Sequence, residues 1–481
     1  MKKLLLLSAF VILSCQDKKI DSTFDFDQKN YSEAFQLIEF WLEAQKDYDN
    51  LPGLTAMIAD QDGMVWSDAF GMQNGNEEMN IENTFSICSI SKLFTSIAIM
   101  RLVEDGKIKL DDPIEKLLPW FNIDNEFNES KPITIQSILT HSSGLPRESN
   151  HPYWSYPDFS FPSKQEVIEE LKNQQMLYPS AKYYQYSNLG LSLLGYVVEE
   201  VSGDSFDDYI TQNILEPLLM NDTKTYMPKD EYGNKLTIGY SSINRDGLRE
   251  KIKFFNAEGI SAAAGFTSNV IDLSKFAAWQ LQLLNSLEKN IISSETLKEM
   301  HQIKWRDKLT GVTRGLGFGV YSFENETWVG HGGSCPGYRS QLYLHPSKQI
   351  AFSVMINSSG TNPGKYIEGM YKILNSVSDS KQTSVNMYKE IEGTYISQPW
   401  NSETYAQSWG DKLGLLFMPT LNPELELYQM VADDTFRRIL KNDELGEELK
   451  ILRDENNNVV AYKTHQNIYK KNNYRGCSSA G

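Results

Sequence analysis

The pattern of apolar and polar positions divides the chain into a short apolar leader, a mixed body over 31–375 and a strand-rich end over 387–481. Within the body, apolar positions in 35–44 recur at helical spacing. Residues 54–59 and 64–67 are short apolar runs on either side of Asp62-Gly63, which predicts a β-hairpin with an Asp-Gly turn. Leu93, Phe94, Ile97 and Met100 repeat at helical spacing within 92–104, and Gly106 marks the stop. Residues 133–139 and 190–201 predict further helices, and 341–345 and 351–356 predict buried strands. Helices in the middle and strands at both ends predict an α+β domain, an antiparallel sheet closed by distant segments and flanked by a helical region.

Residues 376–386 are rich in Ser, Asp, Lys and Gln and read as a linker. Beyond it, runs at 391–396, 413–418, 425–431, 448–452 and 459–463 predict short strands, with a hairpin loop at 454–458. Such a series implies a small antiparallel β-barrel or sandwich. A separate folding unit here is expected to shape access to any site in the first domain.

The leader changes the picture of where the chain resides. Met1-Lys2-Lys3 is a basic start, followed by an apolar run at 4–13 that is short for a bilayer span and fits a signal-peptide core. It ends in Ile12-Leu13-Ser14-Cys15, which resembles a bacterial lipobox. The resemblance implies a signal peptide over 1–14, lipid attachment at Cys15, a tether over 15–30, and a lipoprotein of the periplasm or cell surface. The partners expected are a membrane, through that anchor, and a small-molecule or peptide substrate. A net charge of −17 argues against nucleic acid. The other three of the four cysteines, Cys88, Cys335 and Cys477, form no Cys-x-x-Cys pair.

Candidate chemistry begins at Ser89-Ile90-Ser91-Lys92. At helical spacing Ser89 and Lys92 share a face. A partly desolvated Lys beside a hydroxyl loses basicity and can take its proton. A helix start also offers free N–H groups where negative charge develops. The four-residue pattern alone decides little, because Ser286-Leu287-Glu288-Lys289 and Ser378-Asp379-Ser380-Lys381 match it too. The Ser286 copy closes an apolar helix instead of opening one, and the Ser378 copy sits in the polar linker. Tyr186-Ser187-Asn188 supplies a phenol and an amide, and its context, a loop entering a helix, separates it from Tyr48-Asp49-Asn50 and Tyr232-Gly233-Asn234. His331-Gly332-Gly333-Ser334 follows, ahead of the 341–345 strand, and its glycines permit close backbone approach.

In this order the three motifs resemble those of the serine β-lactamase and penicillin-binding-protein family, in its class C, esterase and D-aminopeptidase branch. The loop Leu139-Thr140-His141-Ser142-Ser143-Gly144-Leu145-Pro146, the turn Ala263-Ala264-Gly265-Phe266-Thr267-Ser268 and Pro52-Gly53-Leu54 add to the resemblance, which covers about 45–375. The terminal region is similar to a lipocalin-like extension, opening at Ile391-Glu392-Gly393-Thr394-Tyr395. The resemblance implies a serine hydrolase working through an acyl-enzyme. Ser89 is then the nucleophile, and Lys92 and Tyr186 move its proton. Asn188 positions Lys92 and substrate. The N–H groups of Ser89 and Ser334 receive the oxyanion, with His331 and Gly333 beside the substrate. No metal or organic cofactor is implied.

Two departures bear on the substrate. The β-lactam-acting members carry Lys-Thr where this chain has His331-Gly332, so a fixed positive charge and a hydroxyl are missing. Small esters, amides or D-amino-acid peptides become the expected substrates. Hydrolysis of β-lactams or D-Ala-D-Ala peptides is the alternative, and a catalytically idle binding protein is another. His331 could still meet a carboxylate if protonated. Pro179-Ser180 stands where Pro-Gly is commoner, a local turn change. Neither a Gly-x-Ser-x-Gly elbow nor a His-x-x-x-His pair occurs, which argues against an α/β-hydrolase or a metallohydrolase. Of the remaining histidines, His141 is expected to brace the site and His151, His301, His345 and His465 to be surface or core. Cys88 and Cys335 are expected to be separate buried thiols, unless the oxyanion site brings them together.

Overall fold

The computed structural model describes residues 24–26, 31–127, 129–286, 289–377, 387–400 and 402–472. The predicted leader, Cys15, most of the tether, Leu287, Glu288, the Ser378 motif and 378–386 of the linker lie outside the described residues.

The chain opens with α1 (Ser32–Tyr48), then the hairpin β1 (Gly53–Asp60) and β2 (Gly63–Gly71). The turn sits one residue earlier than predicted, on Gln61-Asp62: Asp60 Oδ1 accepts from Asp62 N at 2.8 Å and Gly63 N at 3.2 Å. An aspartate that hydrogen-bonds forward to the backbone sets this reversal, so Gly63 is left to open the second strand. Further on come α2 (Ser91–Glu104), α3 (Asn188–Ser202) and α4 (Val270–Asn285). Six strands then follow: β3 (Trp305–Arg306), β4 (Thr313–Arg314), β5 (Gly319–Phe323), β6 (Glu326–Cys335), β7 (Tyr338–His345) and β8 (Ile350–Ile356). They join the first hairpin in one antiparallel sheet of order β2-β1-β8-β7-β6-β5-β4-β3. The predicted closure by distant segments is the β1–β8 pairing, Leu54 opposite Ile356 through Asp60 opposite Ile350.

Alternation along these strands splits the core in two. Met57, Val329, Leu342 and Met355 face the helical region. Leu54, Trp328, Phe352 and Val354 face α1 and the helix α5 (Gly364–Asn375). The short helices Lys164–Leu171 and Ser294–His301 were not anticipated, because polar residues fill most of their positions. Serine caps, Ser163 and Ser293, start both.

The terminal region resolves the choice between barrel and sandwich. Eight antiparallel strands, from β9 (Gly393–Ser397) and β10 (Ser402–Trp409) to β16 (Asn467–Asn472), close into a barrel because β9 pairs with both β10 and β16. Tyr395, Leu415, Phe436 and Tyr462 are among the side chains that fill it. The barrel docks on α1. Phe40 stacks on Tyr405 at 3.8 Å, Trp41 Nε1 donates to Thr420 O at 2.9 Å, and Gly410 N donates to Glu33 Oε2 at 2.8 Å. Trp409, Leu416 and Met418 share the α1/α5 core. That is the sheet face opposite the helical region, so among the described residues the barrel lies away from the motif residues and nothing in it is placed to shape access.

Candidate active site

From Asn83 to Met100 every residue is buried except Ser89. A nucleophile needs this arrangement: a rigid mount with one hydroxyl reachable. The motif begins in a short 3-10 turn, Cys88–Ile90, that runs directly into α2. Cys88 holds φ 51°, a left-handed conformation costly for a residue with a side chain. The polar residues of the buried helix are matched to Ala262 and to the Ala263–Ser268 turn, flagged in the sequence, that follows it. Ser91 Oγ accepts from Phe266 N at 3.0 Å and Thr95 Oγ1 donates to Ala262 O at 2.6 Å.

Lys92 is fully buried. Its Nζ lies 2.8 Å from Asn188 Oδ1, 2.7 Å from Ala263 O and 3.1 Å from Ser89 Oγ. Burial holds its pKa well below the usual 10.5; Glu148 opposes that shift, while Arg147 and Arg314 add to it. A neutral amine has two hydrogens and one lone pair. With Asn188 Oδ1 and Ala263 O accepting two hydrogens, a neutral Lys92 would turn its lone pair to Ser89.

Tyr186-Ser187-Asn188 works as a unit because of its middle residue. Ser187 caps α3 by accepting from Gly190 N at 2.8 Å, and its Oγ donates to Pro146 O at 2.6 Å. Its backbone N–H donates to His141 Nδ1 at 3.1 Å. These bonds tie the start of α3 to the 139–146 loop and fix the residues on either side. Asn188 faces Lys92. The Tyr186 ring lies 4.9 Å from Lys92 Nζ and packs on His141 at 4.3 Å. Burial pushes the Tyr186 phenol up to about 12, against a hydrogen bond with Ser89 that lowers it. It is therefore protonated at neutral pH and can pass a proton but not take one first.

The third motif lies on β6. His331, Gly333 and Cys335 alternate toward the helical side. Gly333 has no room for a side chain: a Cβ would stand 2.3 Å from Ile87 O and 2.1 Å from Ser340 Oγ. The missing side chain lets β6 press against the Ser89 turn. Cys88 and Cys335 form a disulfide, Cα atoms 5.7 Å apart, which overturns the expectation of separate thiols. The bond joins the residue before Ser89 to the residue after Ser334, so it ties together the two strands of backbone that carry the predicted oxyanion donors.

The Beta-lactamase family model matches residues 41–373. The chain belongs to that family. It is 28% identical to Beta-lactamase-like protein 2 of Dictyostelium discoideum over 346 residues, 69% of this chain and 61% of that one. The chain thus spans about three-fifths of that relative's length. The octameric penicillin-binding protein homologue from Pyrococcus abyssi shares 27% identity at a TM-score of 0.63, over 91% of this chain and 99% of that one. The D-amino acid amidase from Ochrobactrum anthropi, solved with D-phenylalanine, has a TM-score of 0.61 at 20% identity over 72% of this chain and 100% of its own, a likeness of fold.

Within this family fold, several neighbours of the motifs escaped the sequence reading. Both Glu148 carboxylate oxygens accept from Asn188 Nδ2, at 2.9 and 3.0 Å, and Glu148 pairs with Arg147 at 3.0 Å and accepts from Tyr153 OH. It follows the flagged 139–146 loop by two positions, which was the available signal. Arg314, from β4, donates to Tyr184 OH at 2.7 Å. No motif pointed to it. His141 does brace the site, as expected. His331 is buried, and burial, with Arg314 and Lys92 nearby, holds it well below the usual 6.5, which favours the neutral ring at neutral pH. Its Nδ1–H donates to Gly332 O at 2.7 Å, and among the described residues the buried Nε2 acceptor has no partner.

The other candidates fall elsewhere. Ser286 is the C-cap of α4, and the Tyr48-Asp49-Asn50 copy ends α1, where Asp49 is held by Lys365 at 2.7 Å. Tyr232 OH donates to Ile252 O at 2.5 Å. His301 is a core residue whose pKa burial lowers to about 3, His345 pairs with Glu326 at 3.0 Å, and His465 is exposed. Ser180 is buried and donates to Pro132 O at 3.1 Å, a local anchor.

Proposed function

We propose that the chain is a serine acyl hydrolase that cleaves a small ester, amide or D-amino-acid peptide through an acyl-Ser89 intermediate. The observation that carries this reading is Lys92: a fully buried amine, its pKa held well below the usual 10.5, placed by Asn188 Oδ1 and Ala263 O and lying 3.1 Å from Ser89 Oγ. Lys92 takes the Ser89 proton as Oγ attacks the carbonyl. Tyr186, protonated at rest, sits against both groups, passes its proton to the leaving group and regains one from Lys92, which returns Lys92 to its resting state. The N–H groups of Ser89 and Ser334 stabilise the oxyanion, and water releases the acyl group. The fold likeness to a D-amino acid amidase supports including D-amino-acid amides among the candidates.

The test is a fluorophosphonate label and a panel of chromogenic esters, D-amino-acid anilides and nitrocefin. Labelling and turnover that vanish in Ser89→Ala support the reading. An unlabelled wild type with no turnover leaves the idle-binder reading in its place. Fast nitrocefin turnover favours the β-lactamase alternative.

The chain is further proposed to be an exported lipoprotein, on the basic start, apolar run and Ser14-Cys15 of the sequence. Incorporation of a labelled fatty acid, lost in Cys15→Ala, tests this; incorporation that persists in the variant overturns it.

A further inference from the structure

The face of the sheet turned away from Ser89 carries a second concave site. A cleft of about 200 Å³ opens between β5, β6 and β7 on one side and α5 on the other. Its walls are rings: Tyr321 and Phe323 from β5, Trp328 from β6, Tyr343 from β7 and Tyr371 from α5. Alternation along the strands puts the four strand residues on one face. A Cβ on Gly319 would stand 2.2 Å from Tyr321 Oη, so the bare glycine lets that ring fold back along its own strand. Tyr371 is held from behind, where its hydroxyl donates to Glu326 and accepts from Lys348 Nζ at 2.7 Å.

The rings do not lie flat on one another. Tyr321 meets Tyr343 at 68°, Trp328 meets Tyr343 at 62° and Phe323 at 61°, and Tyr371 stands at 90° to Trp328 and 68° to Phe323. Their centroids are 4.9–6.4 Å apart. Rings set steeply around one space form a box rather than a stack, and the faces of such rings attract positive charge. One cation already rests on them: Lys372 Nζ lies 5.8 Å from the Phe323 centroid, anchored by Asn422 Oδ1 at 2.7 Å.

The acids of the cleft agree with the rings. Glu368 of α5 lines the cleft at its exposed rim, and among the described residues it makes no hydrogen bond or ion pair. Glu324, between β5 and β6, brings a second negative charge close enough to act on it. The neighbouring cations are engaged elsewhere, Lys372 on Asn422 and Arg314 on Tyr184 OH. A primary ammonium has three N–H donors to satisfy, and the charged acceptor free at this cleft is one carboxylate. A fully methylated ammonium has no N–H and spreads its charge over methyl groups that pack on rings.

We propose that this cleft binds a quaternary ammonium group, with Glu368 as its counter-ion and the five rings as its walls. The group arrives either on a free solute or on the headgroup of a choline lipid. The cleft and Ser89 lie on opposite faces of the sheet, so this holds whether or not Ser89 is a nucleophile.

Calorimetric titration of the full chain compares choline with its neutral isostere, the alcohol that has a tert-butyl group in place of the trimethylammonium. Choline should bind at least about tenfold more tightly. Glu368→Gln, a change at an exposed position, should weaken choline by about threefold or more and leave the alcohol as it was. Phe323→Leu keeps an apolar side chain and loses a ring face, and should also weaken choline. Ser89→Ala should bind choline as wild type does. Failure of choline to bind, equal affinity for choline and the alcohol, or a choline affinity that survives both cleft variants overturns the proposal. Loss of choline binding in Ser89→Ala overturns it too, because the ammonium would then sit at the nucleophile. If Phe323→Leu fails to fold, Glu368→Gln decides. Vesicles separate the two sources. Displacement of choline by phosphatidylcholine vesicles, beyond that by phosphatidylglycerol vesicles, identifies a lipid headgroup; its absence identifies a free solute, and either supports the site.

Discussion

Lys92 and Asn188 are joined by a hydrogen bond of 2.8 Å between Nζ and Oδ1, deep in the helical region. The bond gives a buried lysine an acceptor without giving it a counter-charge, and this has a consequence for stability. The folded pKa of Lys92 lies well below the usual 10.5, which the unfolded chain regains. Between those two values the unfolded chain binds one proton more than the folded one. Stability therefore rises with pH across that window, by at most about 1.4 kcal/mol per pH unit from this group. In urea unfolding, the difference in stability between wild type and Lys92→Met should increase from neutral pH toward pH 10. A flat difference would mean that Lys92 is charged in the folded protein.

Glu148 is the acid that raises the Lys92 pKa against burial, and it holds Asn188 with both oxygens. It touches neither Ser89 nor the reacting carbonyl, so it is a positioning residue. Glu148→Gln removes the negative charge and keeps most of the shape. Loss of a nearby anion disfavours protonated Lys92 further, and the acid limb of the kcat/KM profile should move to lower pH. Looser placement of Asn188 should also cost roughly ten- to hundredfold in kcat. An acid limb that stays put, or moves up, would show that Glu148 does not act on Lys92.

The Cys88–Cys335 disulfide closes a loop of 247 residues in sequence. Loop-closure entropy alone would make it worth roughly 5 kcal/mol as an upper figure. It also restrains Cys88, whose left-handed backbone sets the direction of Ser89. Cys88→Ala with Cys335→Ala should lower the thermal midpoint and reduce kcat in the fraction that stays folded. Unchanged kcat would separate the cross-link from the geometry of the nucleophile.

What the sequence made legible follows from locality. The Ser89 and Tyr186 motifs were readable because an apolar helix starts at each, and periodicity reports that directly. The Lys92–Ser89 contact is one helical turn. Glu148 and Arg314 were hidden because their places come from tertiary neighbours, Asn188 in one case and Tyr184 in the other. The disulfide depended on β6 lying against the Cys88 turn, a contact that Gly333 permits and that no spacing along the chain encodes. The strands 402–409, 435–439 and 467–472 were missed for a related reason. In Ser402–Trp409 and Asn467–Asn472, polar residues such as Gln407, Ser408 and Lys470 interrupt the apolar pattern that a barrel needs only on its inner face.

The barrel gives the last prediction. Because it packs on α1, with the sheet between it and Ser89, its attachment should matter for stability and not for selectivity. Tyr405 stacks on Phe40 at 3.8 Å in the middle of this contact, and burial pushes its phenol up to about 12. Tyr405→Asp places a charge there and should lower stability by about 1–3 kcal/mol. The ratio of kcat/KM values across the ester and amide panel should stay within about twofold of wild type, since among the described residues Tyr405 packs with the α1 side of the sheet and not with the core around Ser89, Lys92 and Tyr186. A changed ratio at full folding would mean that the barrel reaches the site through a second copy of the chain, because within one chain the sheet stands in the way.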